Sequence, residues 1–316
     1  MNHKYQLSIV MATYNADIEK VYKSLLVACK QIAIDYEIII ADDGSKNFDQ
    51  KSIDTLFDKI GFANYKIIHS TENQGTVKNL LNATKQAEGE YVFFTAPGDI
   101  IFDTNVMSDF YKYAKQNDAK LVFGNYIEYG YEDNQLTIYS RPNRPIITEV
   151  YNRDFKNYKT AFCFGTFITG AVFFREKEYA LKSLEYISNT SKYVEDNTTA
   201  AYALADNQEI KYFDRKMVWY ELGEGISTSK DKKWSDIIYG DLKNTFKSLS
   251  KDNPKDRILN VGCASYFRKY GVCTKIIIIL AHPLLCARLV KNKMLPKQIT
   301  KCTENEKEFL ESILKK

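Results

Sequence analysis

The sequence predicts an α/β fold: a mostly parallel, doubly wound sheet flanked by helices, followed by a helical C-terminal extension. Three observations predict it. Four short runs rich in Ile, Val, Tyr and Phe alternate with helix-length segments through residues 1–100, at the spacing of strand–helix–strand crossovers. Each run ends in a polar, turn-forming motif. From Trp234 onward strand patterning stops and the pattern is helical to the end.

The predicted strands are Leu7 to Ala12, Tyr36 to Ala41, Tyr65 to His69 and Tyr91 to Thr95. Between them lie helical segments over 17–31, 49–60 and 75–88, the first with apolar residues at helical spacing (Val21, Leu25, Ala28, Ile32). After Phe102 a helix is expected to about Asn117, then a strand from Lys120 to Tyr131. The proline-rich stretch Arg141-Pro142-Asn143-Arg144-Pro145 reads as a loop, since proline fixes φ and removes a donor. Strand pattern returns at Phe167 to Phe174, followed by a helix from about Glu195 to Ala205 and strands at Ile210 to Phe213 and Met217 to Glu221. These elements are expected to pack on the same sheet. Lys275 to Lys293 carries the apolar run Ile276 to Ala281, but His282-Pro283 interrupts it, and the apolar stretch falls short of the roughly twenty residues that cross a bilayer.

With 316 residues, 45% of them hydrophobic, the chain can bury a large core, which excludes a disordered chain. The net charge of +4 is unevenly spread: from Lys251 onward fourteen Lys/Arg face six Asp/Glu, a net of +8, and residues 1–250 carry −4. A basic tail on a slightly acidic body suits a polyanionic surface, membrane or nucleic acid. Six cysteines without CxxC spacing, and an N-terminus without an apolar signal core, fit a reducing cytoplasm. Three histidines without ligand spacing count against a His-based zinc site and a Ser-His-Asp triad.

The chemistry sits at the strand ends: Ala12-Thr13-Tyr14-Asn15, Asp42-Asp43-Gly44-Ser45, Asn73-Gln74-Gly75 with Lys78-Asn79, and Ala96-Pro97-Gly98-Asp99. In an open α/β sheet the crevice beyond the carboxyl ends of the strands is where ligands bind, so the four motifs converge on one site. An acid of Asp42-Asp43 can accept from the N3–H of a uracil or thymine ring; the same residues also read as an Asx turn with helix capping. Lys78, one turn into a helix, suits a diphosphate, and equally an ordinary solvated charge. Asp99 could hold Mg²⁺ or Mn²⁺ between phosphate oxygens, or simply cap a Pro-Gly turn. Glu195-Asp196 either complements a helix dipole or supplies a carboxylate that takes a proton from an attacking hydroxyl. Tyr220 to Ser229 reads as a strand running into a glycine- and hydroxyl-rich loop, either a cover for phosphates or a plain connector.

Taken in order, Ser8-Ile9-Val10-Met11-Ala12-Thr13-Tyr14-Asn15, Asp42-Asp43-Gly44-Ser45, Asn73-Gln74-Gly75 with Lys78-Asn79, Glu88-Gly89-Glu90-Tyr91, Glu195-Asp196 and Gly225-Ile226-Ser227 resemble the inverting glycosyltransferase family 2, across about residues 5–230. The resemblance implies a GT-A type, Rossmann-like fold and a division into a catalytic domain over 1–230 (nucleotide-binding half 1–100, acceptor-side half 101–230) and a helical region over 231–316. It implies that Ala12, Tyr14, Asp42 and Lys78 line the nucleotide pocket, that Asp196 is the general base, and that Asp99 binds Mn²⁺ or Mg²⁺. The donor implied is a UDP- or dTDP-sugar and the acceptor a hydroxyl of a lipid-linked surface polysaccharide intermediate, with no role for nucleic acid. The expected location is cytoplasmic, with peripheral contact to the inner face of the cell membrane through 275–297.

One departure stands out. Where the family usually reads Leu-Asp-x-Asp-Asp, this chain has Thr95-Ala96-Pro97-Gly98-Asp99. The last acid is kept and two are lost, which leaves a non-catalytic nucleotide-sugar or glycan binding module as the alternative. On sequence alone, Gly98→Asp is expected to be tolerated.

Overall fold

A computed structural model describes residues 3–133, 135–139, 156, 159–160, 168, 170–223, 232–267, 272–294 and 299–316. The first hundred residues fold as β1 (Tyr5–Thr13), α1 (Ile18–Ala28), β2 (Tyr36–Asp42), α2 (Gln50–Ile60), β3 (Tyr65–His69), α3 (Thr76–Gln86) and β4 (Gly89–Thr95). β1 pairs in parallel with β2 and β4, and β2 with β3, as the crossover spacing requires. Local signals set the helix ends: Asp17 caps α1 by accepting from the Glu19 N–H at 2.9 Å, and Gly61, at φ +80°, ends α2.

Both faces of β1, β2 and β4 are buried, which is why they read as nearly continuous apolar runs, while β3 at the sheet edge is only half-buried. Leu7, Ile9, Met11, Ile38, Ile40 and Phe93 face one core, shared with Val21 and Leu25 of α1. Val10, Ile39, Ala41, Val92 and Phe94 face the other, against Val77, Leu80 and Ala83 of α3.

The second half adds β5 (Ile100–Ile101), α4 (Val106–Gln116), β6 (Leu121–Glu132), β7 (Gln135–Tyr139), β8 (Phe173–Glu176), α5 (Lys177–Ile187), α6 (Asp196–Ala205) and β9 (Lys211–Glu221). The described strands form one sheet in the order β3-β2-β1-β4-β8-β6-β9-β5, with β7 on β6. β8 runs antiparallel to both β4 and β6, and β5 antiparallel to β9, so the second half is mixed. The expectation that these elements join the same sheet holds.

Several boundaries differ from the sequence reading. The two strands expected over 210–221 are one strand, β9. The strand expected over 167–174 is, in its described part, a 3₁₀ turn at Gly170–Val172 followed by β8. Helix α5 was not anticipated; it buries Tyr179, Ala180, Ser183, Leu184 and Ile187 along one stripe. The Arg141 to Pro145 loop and the Gly225-Ile226-Ser227 motif lie outside the described residues.

Beyond residue 231 come α7 (Lys232–Asp252), α8 (Arg257–Phe267), α9 (Val272–Ala281), α10 (Pro283–Met294) and α11 (Glu304–Leu314). Phe246, Leu249, Leu259, Leu310 and Ile313 pack into the same core as the sheet. α9 and α10 differ: Ile277, Leu280 (76% exposed), Leu284 and Met294 (80% exposed) lie on the surface. Pro283 opens α10, where its missing N–H costs nothing. Among the described residues no helix is long and apolar enough to cross a membrane.

Candidate active site

The first three strand-end motifs are knitted together by hydrogen bonds. The Asn15 N–H donates to Ser45 Oγ at 2.6 Å, and Asn15 Oδ1 accepts from the Lys46 N–H at 3.2 Å. Thr13 donates to Asp42 Oδ1 at 3.0 Å. Asp43 accepts from the backbone N–H groups of Gln74 at 2.8 Å and Gly75 at 2.9 Å, and Asn79 donates to the Ala41 carbonyl at 2.8 Å. Gly44, at φ +74°, lies so close to the third motif that a Cβ would come 2.5 Å from the Glu72 carbonyl carbon.

On this platform Ala12 is half-buried, Tyr14 is 47% exposed, and Lys78 is exposed on the first turn of α3. Asp42 is buried and accepts from Thr13, from the Ser45 N–H (2.8 Å) and hydroxyl (2.6 Å), and from His69 Nδ1 (2.8 Å). Burial pushes the Asp42 carboxyl up, but hydrogen bonds from Ser45, His69 and Thr13 outweigh it and hold the group below its ordinary range. The neighbouring Asp43 goes the other way: burial raises it despite the Gln74 and Gly75 N–H groups.

The fourth motif is a Pro-Gly turn in which the Asp99 N–H returns to the Ala96 carbonyl at 3.1 Å. Tyr129 donates to the Gly98 carbonyl at 2.7 Å, and the Gly98 N–H donates to Ser24 Oγ at 3.0 Å. Glu221, the last residue of β9, stands beside the turn. Its backbone N–H donates to the Asp99 carboxylate, and its own carboxylate takes Lys20 Nζ at 3.0 and 2.9 Å. Burial drives the Asp99 carboxyl up to about 8; the Glu221 N–H opposes this and the Glu221 charge adds to it.

The geometry of the turn stands against the Gly98→Asp expectation. Gly98 has φ +97°, and a Cβ on it would lie 2.2 Å from Glu221 Oε2. The space of the side chain the family carries at this position is filled by a carboxylate from β9.

Glu195 and Asp196 take separate roles. Glu195 is buried against Arg175, which donates to its two oxygens at 2.7 and 2.8 Å, and Thr199 donates to it at 3.1 Å. The Arg175 guanidinium lies between the rings of Phe94 and Phe173, 4.5 and 4.4 Å from their centroids. Asp196 is half-buried and accepts from the Gly170 N–H at 3.0 Å and from the Asn197 N–H at 2.6 Å. Burial raises its carboxyl, while the Asn197 and Gly170 N–H groups and the Arg175 charge moderate the rise.

The segment before this pair bridges the two halves. The Lys192 carbonyl accepts from the Val77 N–H at the start of α3 at 3.1 Å, and the Lys192 stem lies over Gly75. Asp241 of α7 holds the segment from behind: one of its oxygens accepts from the Ser191 hydroxyl (3.0 Å) and the N–H groups of Lys192 (3.0 Å), Tyr193 (2.7 Å) and Val194 (3.1 Å).

Sequence reasoning missed Arg175, Lys20, Asp241 and the placement of Glu221 beside Asp99. Two of them left a trace. Glu221 ends an apolar strand run, as Asp42 does, and Asp241 is an acid inside the buried stripe Leu242, Thr245, Phe246, Leu249 of α7.

The profile of the family described as glycosyl transferase family 2 matches residues 8–177, more than half of the chain. The chain belongs to glycosyl transferase family 2. Among curated relatives it is 28% identical, over 38% of its length and 36% of the relative's, to poly(ribitol-phosphate) beta-N-acetylglucosaminyltransferase TarP of Staphylococcus aureus (strain N315). It is 26% identical to the glycosyltransferase GlyG of Streptococcus pneumoniae serotype 4, over 51% of its length and 55% of that protein's. The chain thus spans about half or less of these relatives.

Among solved structures, S. aureus TarS 1-349 in complex with UDP-GlcNAc aligns with a TM-score of 0.55 at 16% identity, covering 91% of this chain and 79% of that one. The mannosyltransferase PcManGT from Pyrobaculum calidifontis, in complex with GDP-Man and Mn²⁺, aligns with a TM-score of 0.56 at 15% identity, covering 93% and 88%. At these identities the likeness carries the fold, and the fold is GT-A.

Proposed function

We propose that the chain transfers a sugar, with inversion, from a UDP- or dTDP-sugar to a hydroxyl of a lipid-linked surface polysaccharide intermediate. The observation that carries the catalytic part is the division of labour at 195–196: Arg175 engages both oxygens of the buried Glu195, and Asp196, only half-buried, keeps a carboxylate unpaired with that guanidinium whose affinity for a proton burial has raised. In this reading Asp196 takes the acceptor proton as the hydroxyl oxygen attacks the anomeric carbon opposite the leaving diphosphate. Ala12, Tyr14 and Asp42 shape the nucleoside end of the pocket, and Lys78 faces the diphosphate at the start of α3, where free N–H groups already favour an anion. Residues 1–100 form the donor half of a catalytic unit over 1–230, and 101–230 the acceptor half. TarS with UDP-GlcNAc and the name of TarP support the donor and polymer classes.

Among the described residues no group of three or more His, Cys, Asp or Glu is placed to hold a metal. Mn²⁺ and Mg²⁺ nonetheless take one or two protein carboxylates when phosphate and water complete their shell, and Asp99 fits the single-carboxylate case, the Glu221 carboxylate beside it being held by Lys20. Asp99 would hold the ion, whose charge would offset that developing on the diphosphate. Thermal unfolding with nucleotide sugars, with and without Mn²⁺, tests the donor side: the right nucleotide raises the midpoint by mass action, further with Mn²⁺. No shift with any UDP- or dTDP-sugar would count against it.

The exposed Ile277, Leu280, Leu284 and Met294, with Arg288 and Lys291 on α10, support peripheral contact of 275–297 with an anionic membrane on its cytoplasmic side. Flotation with anionic vesicles checks it: the triple substitution of Ile277, Leu280 and Leu284 by Ser should abolish binding, and undiminished flotation would remove the anchor. The loss of acids at 96 and 98 favours one rival, a binding module without turnover, and the Asp196→Asn comparison in the Discussion separates the two.

A further inference from the structure

Two lysines stand exposed at the third strand-end motif, Lys78 on α3 and Lys192 on the segment that leads to Glu195. Among the described residues neither ammonium has a hydrogen bond or an ion pair; Lys192 Nζ lies 5.2 Å from the centroid of the Tyr193 ring. The Lys192 charge reaches Asp43, which is buried beneath the motif, but the two form no ion pair.

Lys192 is nonetheless no loose surface side chain. Its backbone is pinned on both sides, the N–H donating to Asp241 at 3.0 Å and the carbonyl accepting from the Val77 N–H at 3.1 Å. Its stem lies along the backbone of Gly75, where a Cβ would come 2.9 Å from Lys192 Cε and 2.7 Å from the Lys192 carbonyl oxygen. Gly75, at φ +91°, leaves the room that the stem occupies. A lysine held this way has given up part of its rotamer freedom before any ligand arrives, so less ordering remains to be done on binding. A cation fixed in place without a counter-charge, at the strand ends where ligands bind, suits an anion.

We infer that Lys192 is a second cation for the diphosphate of the donor, and that through it donor binding fixes the segment that leads to Asp196. The inference rests on the nucleotide-sugar reading and adds a residue to it. Lys78 and Lys192 come to the motif from the first and the second half of the sheet, so a diphosphate between them joins the two. Val194 donates to the same Asp241 oxygen as Lys192, so whatever steadies Lys192 also steadies the approach to Asp196.

NMR titration of the full chain with UDP, dTDP, uridine and thymidine tests it, with EDTA present so that no metal ion bridges the phosphates. Lys192→Met keeps the stem over Gly75 and removes the charge, and Lys192→Arg keeps the charge. Wild type should bind the better of UDP and dTDP about tenfold or more tighter than Lys192→Met does, the worth of one hydrogen bond to a charged group. The matching nucleoside should bind the two proteins equally, and Lys192→Arg should keep most of the diphosphate affinity. Hydrogen exchange gives a second readout: the diphosphate should slow exchange at Tyr193, Val194 and Asn197 in wild type but not in Lys192→Met. Equal diphosphate affinity of wild type and Lys192→Met, or an equal loss with the nucleoside, would overturn the assignment while leaving the donor reading intact. Unchanged exchange in saturated wild type would overturn the link to Asp196. Failure of wild type to bind either diphosphate would overturn both the inference and the donor reading.

Discussion

Arg175 grips both oxygens of Glu195, at 2.7 and 2.8 Å, with its guanidinium fully buried between Phe94 and Phe173. Phe94 belongs to the strand that leads to Asp99, and Glu195 precedes Asp196, so this pair ties the two proposed catalytic acids to one rigid support. Removing one partner of a buried pair leaves an uncompensated charge. Arg175→Met is therefore expected to cost about 3–5 kcal/mol in denaturant unfolding, and Arg175→Met with Glu195→Gln to recover most of that loss. A single substitution costing under about 1 kcal/mol would show that the pair is not buried in solution.

The raised Asp196 carboxyl gives a pH dependence of known sign. Between its ordinary value of 3.8 and its raised value, the native state keeps a proton that the unfolded chain has released. Stability therefore falls as pH rises through that window. Asp196→Asn removes the titration, so its unfolding free energy should be flatter with pH and at least equal to wild type at pH 7. Parallel curves for the two proteins would contradict the burial of Asp196.

Asp241 should act on the site from a distance. Asp241→Ala leaves three backbone N–H groups of the 192–194 segment without their acceptor, a loss of about 1–3 kcal/mol. Hydrogen exchange at Lys192, Tyr193 and Val194 should rise sharply, and Asp241→Asn, which keeps a carbonyl oxygen, should restore part of the protection. Unchanged exchange in Asp241→Ala would mean that the segment is held by other contacts.

Restoring the family's acid at position 98 should harm this chain. Gly98→Asp forces a side chain into positive φ, at about 1–3 kcal/mol, and pushes against the Glu221 carboxylate that Lys20 holds. Thermal unfolding should show a lower midpoint for Gly98→Asp than for wild type; an unchanged midpoint would mean that the turn relaxes freely.

The legible parts of this molecule are those whose signal is local. β1, β2 and β4 could be read because strands buried on both faces are nearly continuously apolar, and β3 because Tyr65, Ile67 and Ile68 favour a strand even at a half-buried edge; the Asp42, Asn73-Gln74-Gly75 and Asp99 motifs could be placed because each follows such a run. Helix α5 was missed although its buried stripe is unbroken, because Ala180 and Ser183 make that stripe weakly apolar, and β5 because two residues carry no period. The partners that complete the site come from far along the chain. Lys20 meets Glu221 across 201 residues, and Asp241 meets Val194 across 47. No spacing rule joins such pairs; the sheet order, with β9 brought beside β5, delivers the first, and the packing of α7 on α6 the second.

The central claim is that Asp196 is the base of a sugar transfer. Its most direct test is the rate at which wild type and Asp196→Asn release UDP or dTDP from the nucleotide sugar identified by thermal shift, with Mn²⁺ present and over a range of pH. Wild type should turn over at a rate that climbs with pH as the raised carboxyl ionises, and Asp196→Asn should bind the donor as well yet fall by roughly 10²–10⁴-fold. Equal rates in the two proteins, or donor binding with no turnover in either, would contradict the account.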